Sequence, residues 1–152
     1  MLYLVEQYKK AQGVEEIDLT AVAQWAIEQG RYRREPIDPL KALRRELVRA
    51  LRSEHLTDAQ GREVRKNHPV VMSDGQHRMS IWAEIFQAKP RHMRLSLSQR
   101  RQGILADCRQ HKLDFDSYND NNVYDQRLPA FDYNFNADLE EMDLPTDYPE
   151  ES

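Results

Sequence analysis

The chain has 152 residues, enough for about one domain with a modest core. Its charged residues make up 32% of the total, above the ~25% usual in globular chains, so a small core under a large solvated surface is expected. A single cysteine, Cys108, excludes an intrachain disulfide and a thiolate-based structural zinc site. The opening MLYLVEQYKKAQ has charges within its apolar stretch and no small-residue cleavage site, and no segment is apolar enough to span a bilayer. These features predict a cytoplasmic protein in a reducing compartment, with no membrane partner.

Charge is divided unevenly along the chain. Residues 1–30 hold two Lys and five acids, residues 31–112 hold nineteen Lys/Arg and nine acids, and residues 113–152 hold one Arg and twelve acids. The net charge of -4 therefore conceals a cationic body, which also carries all five histidines, and a polyanionic end.

In chain order, a first helix is expected at about 2–12, ended near Gly13. A second follows Asp18 as N-cap, with Ile17 placed to staple onto Val22, Val22, Trp25 and Ala26 as core, and Gly30 at its end. The third has Asp38 as N-cap, Pro39 at the first helical position, and Leu40, Leu43, Leu47 and Leu51 repeating at three or four residues; this predicts helix over 39–54. Lys41, Arg45, Arg49 and Arg52 recur at the same spacing, roughly 145° around the barrel at ~100° per residue. Such a ridge is either an ordinary solvated face or a phosphate-binding one. Only Glu46 and Glu54 accompany its cations, which favours binding.

The stretch REVRKNHPVVMSDGQHRMSIWAEI, residues 62–85, alternates polar and apolar residues on both sides of Ser-Asp-Gly, so a β-hairpin at about 62–82 is expected with Gly75 left-handed. Pro69 marks its first strand as an edge. A basic hairpin after helices suggests a winged-helix-like module, the alternative being a hairpin that only caps a helical core. From Ser80 the spacing of Trp82, Ile85 and Phe86 predicts a short helix that stops before Pro90, with those three residues in the core. The last helix is expected to open on S-L-S-Q, a capping box of Ser96 and Gln99, and to place Ile104, Leu105, Cys108 and Phe115 on one face. The remainder, residues 119–152, reads as an acidic, aromatic-containing tail, largely extended or disordered, after a helical domain over 1–118. The expected fold class is mainly α with a small β-hairpin, α+β.

The segments DAQGREVRKNHPV, SLSQRRQGILADCRQHKLDFDSYNDNN and FDYNFNADLEE resemble a family of functionally uncharacterised small bacterial proteins of the planctomycete type. The resemblance covers roughly residues 20–142, with Ala59 standing where that family leads one to expect proline. It implies one intact small protein and supplies no activity or site.

Enzymatic motifs are absent from the sequence: there is no G-x-S-x-G, P-loop, H-E-x-x-H or dinucleotide fingerprint. Asp74 and Glu84 lack the lysine a hairpin nuclease would place two residues beyond, and Cys108 with His111 at i,i+3 lacks a second ligand pair. Asp114, Asp116, Asp120, Asn122 and Asp125 have calcium-loop spacing, but Asn119 replaces the required glycine and Asp125 the bidentate Glu. No cofactor or metal is expected. The favoured reading is a non-enzymatic nucleic-acid-binding or regulatory protein that contacts phosphates through Lys41, Arg45, Arg49, Arg52, Arg65, Lys66, Arg78, Arg100 and Arg101, with the acidic tail as an internal competitor. The alternative is a protein-interaction module whose tail, with Phe131, Tyr133 and Phe135 alternating with polar residues, docks on a basic partner.

Overall fold

The computed structural model describes residues 1–32 and 36–143. It is mixed α+β, with five helices and two two-stranded antiparallel sheets among the described residues. The chain divides into two compact units, Met1–Leu51 and Arg52 onward. Residues 144–152, the last part of the expected tail, lie outside the described residues. Among the described residues no helix is long and apolar enough to cross a membrane.

In the first unit, α1 (Leu2–Gln12) ends on Gly13, whose φ of 66° is the left-handed conformation glycine adopts without strain. Asp18 caps α2 (Leu19–Glu28) by accepting from the Thr20 N–H at 2.9 Å. The two helices pack through Leu4, Val22 and Ala26 and through an edge-on contact of Tyr8 with Trp25, 5.7 Å between centroids. Arg31 lies over the Trp25 ring at 5.0 Å while donating to Gln7, which fixes the chain leaving α2.

The third helix, α3 (Pro39–Ser53), forms where its Asp38 cap and leucine spacing predict, with Asp38 accepting from the Leu40 N–H at 3.0 Å. Its leucine stripe is not core. Leu40 is 74% exposed, and Leu43 and Leu47 are each 55% exposed. Periodicity reports that a helix has an apolar face; it does not report that another element covers it.

The second unit begins with a small hairpin that the sequence reading missed, β1 (His55–Thr57) on β2 (Glu63–Arg65). Asp58 builds its turn, accepting from the Gln60 and Arg62 N–H groups and from Arg62 Nε at 2.7 Å. These bonds, the Arg62 N–H first, hold the Asp58 carboxyl below its ordinary range.

The main hairpin pairs β3 (Asn67–Ser73) with β4 (Arg78–Glu84). Asp74 organises the turn by accepting from the His77 and Gln76 N–H groups, and Gly75 takes φ 92° as expected. The strand continues through Glu84, so the short helix expected from Ser80 does not form. The helix-like spacing of Ile85 and Phe86 comes instead from the turn after β4, in which the Gln87 and Ala88 N–H groups donate to the Glu84 carbonyl. Trp82, expected in the core, pairs with Pro69 and is half-buried.

The long helix α4 (Pro90–Asn121) starts six residues before the expected capping box, with Pro90 at its first position. Ser96 and Gln99 therefore lie inside the helix and face β3. Gln99 accepts from the Val71 N–H at 2.9 Å and donates to the Val71 carbonyl at 2.8 Å, and His92 Nε2 donates to the His68 carbonyl at 2.8 Å. Between them Ser96 is 4% exposed. Seven helical residues rise ~10.5 Å and three strand residues ~10 Å, so the two contacts keep the same spacing along both elements.

After α4 the chain reverses. The Asn119 side chain exchanges hydrogen bonds with the Leu128 backbone, and Phe131 meets Phe115 and His111 edge-on at 5.6 and 4.9 Å. His111 Nδ1 hydrogen-bonds the Tyr133 hydroxyl at 2.8 Å, and a short α5 (Asn136–Met142) follows. The described part of the tail thus runs back along α4 without regular secondary structure until α5. Asp114, Asp116 and Asp120 lie on α4 itself, bonded to Gln110, Lys112 and Arg127, so they form no calcium-type loop.

Replacing Gln99 by alanine removes two hydrogen bonds from the free edge of β3. A loss of about 1–2 kcal/mol is expected in urea unfolding followed by Trp82 fluorescence in a Trp25→Phe background. Ser96→Leu is expected to cost about 1–3 kcal/mol by forcing helix and strand apart.

Candidate nucleic-acid interface

Alternation along β3 sends His68 and Val70 to one face and Asn67, Pro69 and Val71 to the other. The cross-strand pairing puts Trp82 beside Pro69 on that second face. A cleft of about 380 Å³ lies there, floored by Pro69, Val71 and Trp82 and walled by Ser96, Gln99 and Arg100 of α4. Arg52, at the end of α3, and Arg65, at the end of β2, complete its rim. His68 Nε2 donates to the Arg65 carbonyl at 3.0 Å, which fixes the backbone from which that guanidinium projects.

The cleft carries three guanidiniums and no lining carboxylate. Among the described residues none of the three has a side-chain hydrogen-bond or ion-pair partner. Lys66, next to Arg65, is in a different state: its Nζ lies 2.8 Å from Glu54, whose other oxygen accepts from Asn67. The Glu54 bond, and then its charge, raise the Lys66 pKa, while the Lys66 and Asn67 bonds lower that of Glu54.

Of the nine cations expected to contact phosphate, Arg52, Arg65 and Arg100 are brought together. Lys41, Arg45 and Arg49 are exposed on α3 in the first unit. Arg78 is exposed at the turn end of β4, Arg101 is exposed beside Arg100 on α4, and Lys66 is neutralised by Glu54. The sequence reading missed Trp82 as a surface residue; its place opposite Pro69, a residue without an N–H, was the available signal. Phe131 and Tyr133, expected to meet a partner, touch the chain's own His111. No family model matches the chain, and no curated protein or solved structure does.

The Lys66–Glu54 pair gives a pH dependence with a definite sign. Because the Glu54 pKa is lowered from its ordinary 4.5, its contribution to stability is present above that value and fades as pH falls through the lowered one. Because the Lys66 pKa is raised from 10.5, its contribution is present below that value and is lost only in stronger base. Thermal midpoints of wild type and Glu54→Gln should therefore differ near neutrality and converge in acid below the Glu54 pKa. A constant difference across that range would show that the pair does not contribute as an ion pair.

Proposed function

We propose that the protein is a non-enzymatic nucleic-acid-binding protein that holds a phosphate backbone in the cleft between β3–β4 and α4. The observation that carries this reading is the convergence of Arg52, Arg65 and Arg100, without lining carboxylates, around the half-buried Trp82. Guanidiniums suit phosphate because their planar fork donates two parallel hydrogen bonds and their charge does not titrate. A half-buried indole beside them adds a face on which a base can stack, worth ~1–3 kcal/mol per base in single-strand binders. In this reading the hairpin acts as a wing-like element carried on α4. The acids of the returning tail are tethered to the same helix, which makes them an internal competitor at an effective concentration on the order of millimolar.

Fluorescence anisotropy of labelled single-stranded and duplex oligonucleotides across a salt series tests the reading. Arg65→Ala with Arg100→Ala is expected to weaken binding and to flatten the salt dependence by about one unit of slope per lost phosphate contact. Their exposure makes the stability cost small, within about 0.5 kcal/mol each. Lys66→Ala is expected to leave the slope unchanged because Glu54 already neutralises it. Absence of binding at low salt to either oligonucleotide would sink the proposal. An unaltered slope in the double variant would move the footprint away from the cleft. Neutralising Asp138, Glu140 and Glu141 together should raise affinity at low salt several-fold if the tail competes, and the gain should shrink as salt screens both interactions.

A further inference from the structure

The groove between α4 and the returning segment combines features that the nucleic-acid reading does not use. Its volume is about 440 Å³, and its walls are Phe131, Tyr133 and Phe135 from the returning segment with Cys108 and His111 from α4. Two carboxylates stand at its border, Asp107 and Asp132, and no lysine or arginine lines it. Tyr133 and Phe135 have ring centroids 6.3 Å apart and planes at 89°, so they form two adjoining walls of a box. His111 orients Tyr133 through its hydroxyl and meets Phe131 edge-on, which fixes the remaining ring.

These rings are held without being covered. Phe131 is 54% exposed and Phe135 43%, although burial of an aromatic is ordinarily what justifies ordering it. Their exposed faces carry the negative side of the ring quadrupole, and the nearby carboxylates add formal negative charge. Asp132 accepts from the Asn134 N–H at 2.9 Å, whereas Asp107 has no hydrogen-bond or ion-pair partner among the described residues. Aromatic faces and carboxylates without a cationic partner around one small volume attract an organic cation.

We infer that this groove binds a methylated ammonium group. A simple ammonium has three strongly hydrated N–H donors, and the aromatic faces offer no acceptors beyond the two carboxylates at the border in exchange for its full water shell. A quaternary or dimethylated nitrogen has few or no donors to satisfy, and its methyl groups pack on rings while the charge faces their π-clouds. The same headgroup occurs in free quaternary amines and in methylated lysine side chains of proteins, and the groove chemistry is common to both. The site stands apart from the cleft: its residues begin seven positions beyond Arg100 on α4, ~10 Å along the axis.

The test uses the full chain, with amide chemical shifts of residues 131–135 followed by NMR. The probes are choline, a peptide bearing one trimethyllysine, the unmethylated peptide, and 3,3-dimethylbutan-1-ol as the neutral isostere of choline. Choline or the trimethyllysine peptide is expected to bind about tenfold or more tightly than its neutral or unmethylated counterpart, and the two arms distinguish a free amine from a protein side chain. Phe135→Ala is expected to lower affinity about tenfold; Phe135 contacts Tyr133 and makes no ring contact with α4, so the fold of the segment does not rest on it. Asp107→Asn, which keeps the shape, should lower it several-fold. Equal binding of choline and its neutral isostere would reduce the groove to an apolar surface and overturn the inference. So would unchanged shifts with every probe at millimolar concentration.

Discussion

The second unit depends on how the outer edge of β3 is closed. One edge of this strand pairs with β4 over seven residues, and a two-stranded hairpin alone is marginal in water. The other edge would present unpaired backbone groups. Here α4 does the work of a third strand through Gln99, which exchanges two hydrogen bonds with Val71 on that edge, while His92 donates to the His68 carbonyl and ties the start of the helix to the strand. The matched rise between those contacts lets a helix lie along a strand without slipping. Ser96, between them, is small enough to let the two backbones approach.

That closure also shapes the cleft. With α4 held along the edge, Gln99 and Arg100 border the face that carries Pro69, Val71 and Trp82, and the helix becomes one wall of a concave surface. Burial elsewhere is sparse. His68, Val70 and Ser96 are the buried residues of this unit among the described ones, and Leu4, Val22 and Ala26 those of the first. Polar contacts and turn chemistry therefore determine the geometry more than a large apolar core does. Asp58 and Asp74 each gather several N–H groups into a turn, which places the strands before any side chain packs between them.

Local chemistry was legible in the sequence where one residue has one role. Asp18, Asp38, Gly13 and Gly75 act as read, because an N-cap or a left-handed glycine answers to the residues immediately around it. Ser96 and Gln99 show the limit. Both were singled out, yet as a capping box, and the same hydroxyl and amide that can close a helix end are used here against a strand. Nothing in the local pattern distinguishes a Gln that bonds its own helix from one that bonds Val71. The leucine stripe of α3 fails for a related reason, since its exposure depends on elements distant in sequence. At the site, clustering of cations was legible but convergence was not. Arg52, Arg65 and Arg100 sit on three different elements, and Lys66 is removed from the set by Glu54, twelve residues away.

The charge arrangement on α4 is hard to explain as a stabilising device for the helix. Its first turn holds no acid and its last turn no base, whereas the backbone dipole favours the reverse by ~0.3–1 kcal/mol per charge near either end. Arg91 and Arg94 lie near the positive end, and Asp116 and Asp120 toward the negative end. Lys112 and Arg127 offset part of the second cost by pairing with those two acids. No such compensation serves the arginines of the N-terminal half, which have no ion-pair partner among the described residues. Arg100 lies too deep in the helix for the dipole to matter, so its placement beside the Trp82 face owes nothing to helix electrostatics. Arg100 therefore stands beside Arg101 and shares the cleft with Arg65 and Arg52 with no carboxylate among the lining residues, a mutual repulsion that the proposed phosphate ligand would offset.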